Sequence, residues 1–89
     1  MAVLSSRATV AQTAVRLDTP ETVTRWSITF VNRGTDPIFI GGQSVTTATG
    51  LELGVGERMS MMLRPADAGV YAIAATGSQR VDRVQVGWS

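Results

Sequence analysis

Hydrophobic and polar positions alternate with a period of two along most of this chain. The clearest case is residues 22–32, where Trp26, Ile28 and Phe30 share one parity and Arg25, Ser27 and Thr29 the other. Successive side chains of an extended strand point to opposite faces, so this run predicts a half-buried antiparallel strand with its aromatic face inward. Asn32-Arg33-Gly34-Thr35-Asp36-Pro37 predicts a turn, with Gly34 in a left-handed position and Pro37 where the next strand starts. Ile38-Phe39-Ile40 is then expected to return beside the aromatic strand as the second arm of a hairpin.

Residues 38–63 organise the rest. They hold five of the nine glycines and read as strand, polar loop, short strand, turn, strand. The glycines are expected to supply the positive φ angles of tight reversals. Leu51-Glu52-Leu53 is the short strand, Gly54-Val55-Gly56-Glu57 the turn. Residues 58–63 alternate again, with Met59, Met61 and Leu63 on one face. Residues 7–17 fit two periods: Val10, Ala14 and Leu17 suit a helix, while Thr9, Ala11, Thr13, Val15 and Leu17 suit a strand. Their Thr and Val content favours a strand. Residues 18–21 predict a turn broken by Pro20, and residues 64–69 a corner or a single helical turn.

Residues 70–76 predict a buried strand, and residues 80–86 a closing strand with Val84 and Val86 on one face and Val81 on the other. The whole predicts an all-β fold, a small β-sandwich or β-barrel of about seven short antiparallel strands. Its expected core contains Trp26, Ile28, Phe30, Ile38, Ile40, Tyr71, Ile73 and Val84. Residues 1–6 are expected to form a flexible N-terminal arm, and residues 7–89 a single β domain.

Composition narrows the chemistry. Eighty-nine residues allow one domain. A domain of that size buries roughly 60–65% of the surface its unfolded chain exposes, so its core is modest and association would stabilise it. The net charge is +1, and all eight basic residues are arginine. That balance gives no electrostatic case for nucleic acid or an anionic membrane. Histidine and cysteine are absent, which removes disulfides, the usual zinc ligands and the commonest general base. No run approaches the roughly 20 apolar residues of a membrane-spanning helix. Residues 1–6 lack the basic start of a secretory signal, so synthesis and retention in a cytoplasm, or release by lysis, is expected.

Individual motifs read as structure before chemistry. Gly41-Gly42 lacks the lysine and helix of a phosphate loop and predicts a turn. Ser44, Thr46, Thr47 and Thr49 have no histidine or lysine to activate them, and are expected to cap turns. The seven carboxylates fall mostly in predicted turns, and show neither a calcium loop nor an evident facing pair. No enzyme activity, metal or cofactor is expected. Trp88 lies outside the main pattern, either capping an open end of the barrel or anchoring a partner. Met62 has the parity opposite to Met59 and Met61, which places a pliable side chain outward. Leu4, Met62 and Trp88 are therefore the candidate partner interface.

Three stretches carry a resemblance. They are Phe30-Val31-Asn32-Arg33-Gly34-Thr35-Asp36-Pro37-Ile38-Phe39-Ile40-Gly41-Gly42, Val45-Thr46-Thr47-Ala48-Thr49-Gly50-Leu51-Glu52-Leu53 and Val70-Tyr71-Ala72-Ile73-Ala74-Ala75-Thr76-Gly77. They resemble a group of small β-rich virion proteins of tailed bacteriophages. Members of that group carry an Asn-x-Gly-x-x-Pro hairpin ending in Gly-Gly, a Val-Thr-Thr loop, a Gly-Glu turn and a late Tyr-Ala strand. Here the Gly-Glu turn is Gly56-Glu57, preceded by Val55 where the group often has proline.

The likeness spans about residues 22–86, and its members serve as head decoration proteins, head fibres and parts of tail fibres. It implies a structural protein bound to the outside of the phage head, partnered by the major capsid protein and assembled as a homotrimer on threefold sites. The location implied is the virion, after synthesis in the host cytoplasm. With no long shaft in the sequence, a stand-alone coat domain is expected; the alternative is a tail-fibre or head-fibre domain that grips host-surface glycans.

Overall fold

The computed structural model describes residues 2–18, 25–63 and 69–88. Eight strands follow in chain order: β1 (Ala2–Val10), β2 (Val15–Arg16), β3 (Arg25–Asn32), β4 (Ile38–Gly41), β5 (Leu51–Leu53), β6 (Arg58–Leu63), β7 (Tyr71–Ala74) and β8 (Gln79–Trp88). They form two four-stranded sheets, β1-β8-β3-β6 and β2-β7-β4-β5, with every pairing antiparallel. Among the described residues there is no helix. The all-β expectation holds, and of its two forms the sandwich is the one built. The turn expected over 19–21 and the corner expected over 64–68 lie outside the described residues.

Three expectations need correction. The first is the hairpin of β3 with β4. β3 pairs with β6 and β8, while β4 pairs with β5 and β7 in the opposite sheet. Residues 33–37 therefore carry the chain across the sandwich, and two adjacent alternating runs face each other through the core. The second is the arm. Residues 2–6 belong to β1, which runs in register with β8 from Ala2 opposite Gly87 to Val10 opposite Gln79. A short, weakly patterned segment is held there by backbone pairing along an edge of the sheet, for which its side chains give little signal. The same strand ends at Val10, so residues 7–17 split between β1 and β2.

The third concerns the inward face of the late strands. Trp26, Ile28, Phe30, Ile38 and Ile40 are buried as expected. In β7, however, Ala72 and Ala74 face inward with neighbouring Val70, leaving Tyr71 and Ile73 half-buried on the outer side. In β8, Val81 is fully buried and Val84 is exposed. Large residues on the outer parity of both strands mimic an inward stripe, while the inward parity holds Ala72 and Ala74 in β7 and Gln79, Val81 and Gln85 in β8. Val10, Leu17, Leu53 and Leu63 complete the core, with Met59 and Met61 packed against it.

Buried polar residues tie the turns to this core. Asn32 Nδ2 donates to the carbonyls of Asp36 and Leu53, each at 3.0 Å, and its Oδ1 accepts from the N–H of Gly34 at 2.9 Å. Its backbone N–H and carbonyl bond to Glu57 and Gly56. One residue thus fastens the crossing segment, the end of β5 and the Gly56 turn. Gly56 sits at φ 81, the left-handed region where glycine avoids a side-chain clash.

Candidate interaction surface

The sequence offers three kinds of candidate: polar loops, isolated carboxylates and the interface trio. The first two are absorbed by the fold. Thr46 and Thr49 hydroxyls bond each other at 3.0 Å and cap the backbone of their own loop. Glu57 accepts from the Gly54 N–H across its turn. Asp36 accepts from the Thr35 hydroxyl and from Gln79 Nε2. Among the described residues no group of three His, Cys, Asp or Glu side chains is placed to hold a metal ion.

Asp18, read as a turn residue, is instead a buried hub. Its carboxylate accepts from Arg16 Nε at 2.9 Å and Nη2 at 3.0 Å, from the Val70 N–H at 2.9 Å and from Trp26 Nε1 at 3.3 Å. Burial alone would push this carboxyl up. The Arg16 guanidinium, the Val70 amide and the Trp26 indole outweigh that, and hold it below its ordinary 3.8. Gly69, at φ 94, leaves the space that the guanidinium fills; a Cβ there would lie 2.6 Å from Arg16 Nε. All of Asp18's neighbours are structural, and the hub locks β2 and β7 onto Trp26 of the other sheet.

The outer face of the long sheet is different in kind. Register sets its rows. Val3, Val86, Ser27 and Met62 lie side by side across four strands; Ser5, Val84, Thr29 and Ser60 form the next row; Arg7, Asp82, Val31 and Arg58 the third. Each row spans about 14 Å, from three inter-strand steps. Val3 is 64% exposed, Met62 57% and Val84 38%. Thr29 and Ser60 hydroxyls bond at 2.8 Å between them.

The third row opens onto an arginine cluster. Asp82 accepts two hydrogen bonds from Arg80, at 2.9 and 3.0 Å, and has Arg33 at 3.6 Å and Arg7 at 3.8 Å. Its carboxyl is held below the ordinary range by the Arg80 hydrogen bonds, with Arg7 and Arg33 adding their charges. A shallow depression of about 300 Å³ lies beside it, lined by Ser5, Thr29, Asp82 and Val84 among others.

Of the predicted trio, Met62 stands on this face, in the row of Val3 and Val86. Leu4 lies on β1 opposite Gln85 and Trp88 on β8 opposite Arg25; their side chains lie outside the described residues. Sequence reasoning missed Val3, Val84 and the cluster around Asp82. The signal was available in the even positions of β8, where Arg80, Asp82, Val84 and Val86 repeat at period two.

No known family model matches this chain, and no curated protein or solved structure is significantly similar to it. Among the described residues no helix is long and apolar enough to cross a membrane.

Proposed function

We propose that this protein is a non-catalytic virion component of a tailed phage that docks on the outside of the head, binds the major capsid protein and cements neighbouring capsomers as a homotrimer. The observation that carries the docking part is the outer face of the long sheet, where Val3, Met62 and Val84 stand exposed on a surface uncovered by any other described element. Exposed apolar groups gathered on one face mark interaction sites more than the same groups scattered singly do. The phage part rests on the sequence motifs alone. The fold explains those motifs physically: Asn32, Gly56 and Glu57 are the residues that knot the crossing segment to the next turn.

Cementing follows from linkage. A protein that binds the intact shell and not its separated pieces shifts the disruption equilibrium toward the shell. Three weak contacts joined in a trimer act together, since after the first each is intramolecular.

The test is heat release of packaged DNA. Particles coated with the protein should retain DNA to a higher temperature than stripped ones, and purified protein added back should restore the difference. Equal heat stability would remove the cementing role. Binding to a glycan array with no binding to heads would replace it with the fibre reading.

A further inference from the structure

The arginines of the outer face outnumber the acid that organises them. Arg7, Arg33 and Arg80 surround Asp82, and Arg58 ends the same row. Among the described residues, these four guanidinium charges share one carboxylate and leave an excess of three, on a chain whose net charge is only +1. Arg80 spends its fork on Asp82, whereas Arg7 and Arg33 stand at 3.8 and 3.6 Å, beyond hydrogen-bonding distance. Both are well exposed, at 71% and 58% of the side chain. The carboxylate of Glu57 bonds within its own turn and that of Asp36 to Thr35 and Gln79, and neither residue lies in the strand rows.

We propose that this end of the face docks an acidic protein surface, with partner carboxylates received by Arg7, Arg33 and Arg58 while the Val3, Val84 and Met62 rows make the apolar contact. Charge complementarity selects the partner. A second copy of the same face would set arginine against arginine or against apolar rows, and neither arrangement neutralises the excess. Guanidinium forks match carboxylates in pairs of parallel hydrogen bonds. Asp82 keeps the cluster assembled before the partner arrives, so fewer side chains remain to be ordered on binding. The apolar rows, a strand step or two away, supply water-excluded area that a bare polyanion cannot use.

The inference extends the docking reading by naming the partner's chemistry, and it is testable without a particle. The probe is a synthetic decaglutamate peptide, titrated into the full ¹⁵N-labelled chain at about 0.1 M salt. Amide shifts should concentrate at Arg7, Arg33, Arg58 and Asp82. The double variant Arg7→Glu/Arg33→Glu should bind roughly tenfold more weakly or worse, as expected when like charges face each other. Arg25→Glu, at the far end of the face, should bind within about twofold of wild type, because screening confines the effect to roughly 10 Å.

Circular dichroism checks that the variants remain folded. Absent shifts, or shifts equal in the double variant, would overturn the proposal. Tighter binding of a ten-base-pair DNA duplex or of heparin at the same amides would overturn it in favour of a polyanion site. Protection of particles by wild type and by the double variant alike would remove this inference and leave the cementing role. Peptide binding without particle binding would do the reverse.

Discussion

Gln79 occupies the space that any side chain on Gly34 would need. A Cβ built on Gly34 falls 2.1 Å from Gln79 Oε1 and 2.9 Å from its Cβ. The Gln79 side chain is held there by the N–H groups of Thr35 and Asp36, which donate to Oε1 at 2.8 and 3.1 Å, and by the Thr76 carbonyl, which accepts from Nε2 at 2.9 Å. Gly34 is not among the glycines at positive φ, which are Gly56, Gly69 and Gly77. Close approach, and not a left-handed backbone, is why glycine stands here.

A mutant cycle tests that relationship. Gly34→Ala should destabilise by about 2 kcal/mol or more, in the range of overpacked sites. In a Gln79→Gly background the same change should cost much less, since the Cβ at 2.9 Å is gone together with the atoms beyond it. Denaturant unfolding of the four proteins gives the coupling. Additive effects would mean that Gly34 is constrained by something other than Gln79.

Asn32→Ala removes two donors and an acceptor from a fully buried position. The buried Leu53 carbonyl loses its side-chain partner, so a loss of about 2–4 kcal/mol is expected. Asn32→Asp should be no better, because a carboxylate cannot donate to the Asp36 and Leu53 carbonyls. Thermal melts at neutral pH distinguish this from a peripheral turn residue, whose replacement would cost little.

Acid should act through Asp18. Its folded carboxyl titrates below 3.8, so as pH falls past that value the unfolded chain takes up a proton that the folded chain refuses. Stability is therefore fully present above the unfolded value, and drains away as pH falls through the folded one. Asp18→Asn should cost about 2–4 kcal/mol at neutral pH, as for a broken buried ion pair partly open to water. It should also flatten the acid limb of stability against pH relative to wild type. Asp82 titrates in the same direction but is present in both proteins, so the difference curve isolates Asp18.

The inward faces of β3 and β8 are checked by one truncation in each. Phe30→Ala should cost about 3–5 kcal/mol, the range for buried aromatic residues. Val84→Ala should change stability by about 0.5 kcal/mol or less, as for surface substitutions. A large loss at Val84 would turn the strand over and move the exposed rows inward.

How much of this the sequence disclosed depends on which neighbours the physics needed. Trp26, Ile28 and Phe30 announce β3 because alternation is local, and the Met59–Met61–Leu63 parity of β6 follows the same logic. The partner of a strand is not local. Nothing in Ile38-Phe39-Ile40 states that it pairs with β7 instead of with the adjacent β3. In β7 and β8 both parities carry apolar residues, so alternation alone could not choose between Ala72 and Ile73, or between Val81 and Val84. Asp18 looked like a turn acid because its partners, Trp26 and Val70, are 8 and 52 residues away. The arginine cluster was half visible, in the spacing of Arg80 and Asp82; the arrival of Arg7 and Arg33 depends on β1 and β3 flanking β8.

β8 is the last strand of the sequence and lies in the interior of its sheet, between β1 and β3. That order has a consequence in time. While a ribosome is still making residues 79–88, β1 has no neighbour, and β3 has only β6 to pair with. The pairing of Ala2 with Gly87 joins almost the whole length of the chain. Such long-range closure puts small β proteins among the slower two-state folders, at about milliseconds to seconds. The nascent chain thus waits with two strand edges open, and the outer face of the long sheet comes into existence only when β8 slides between them.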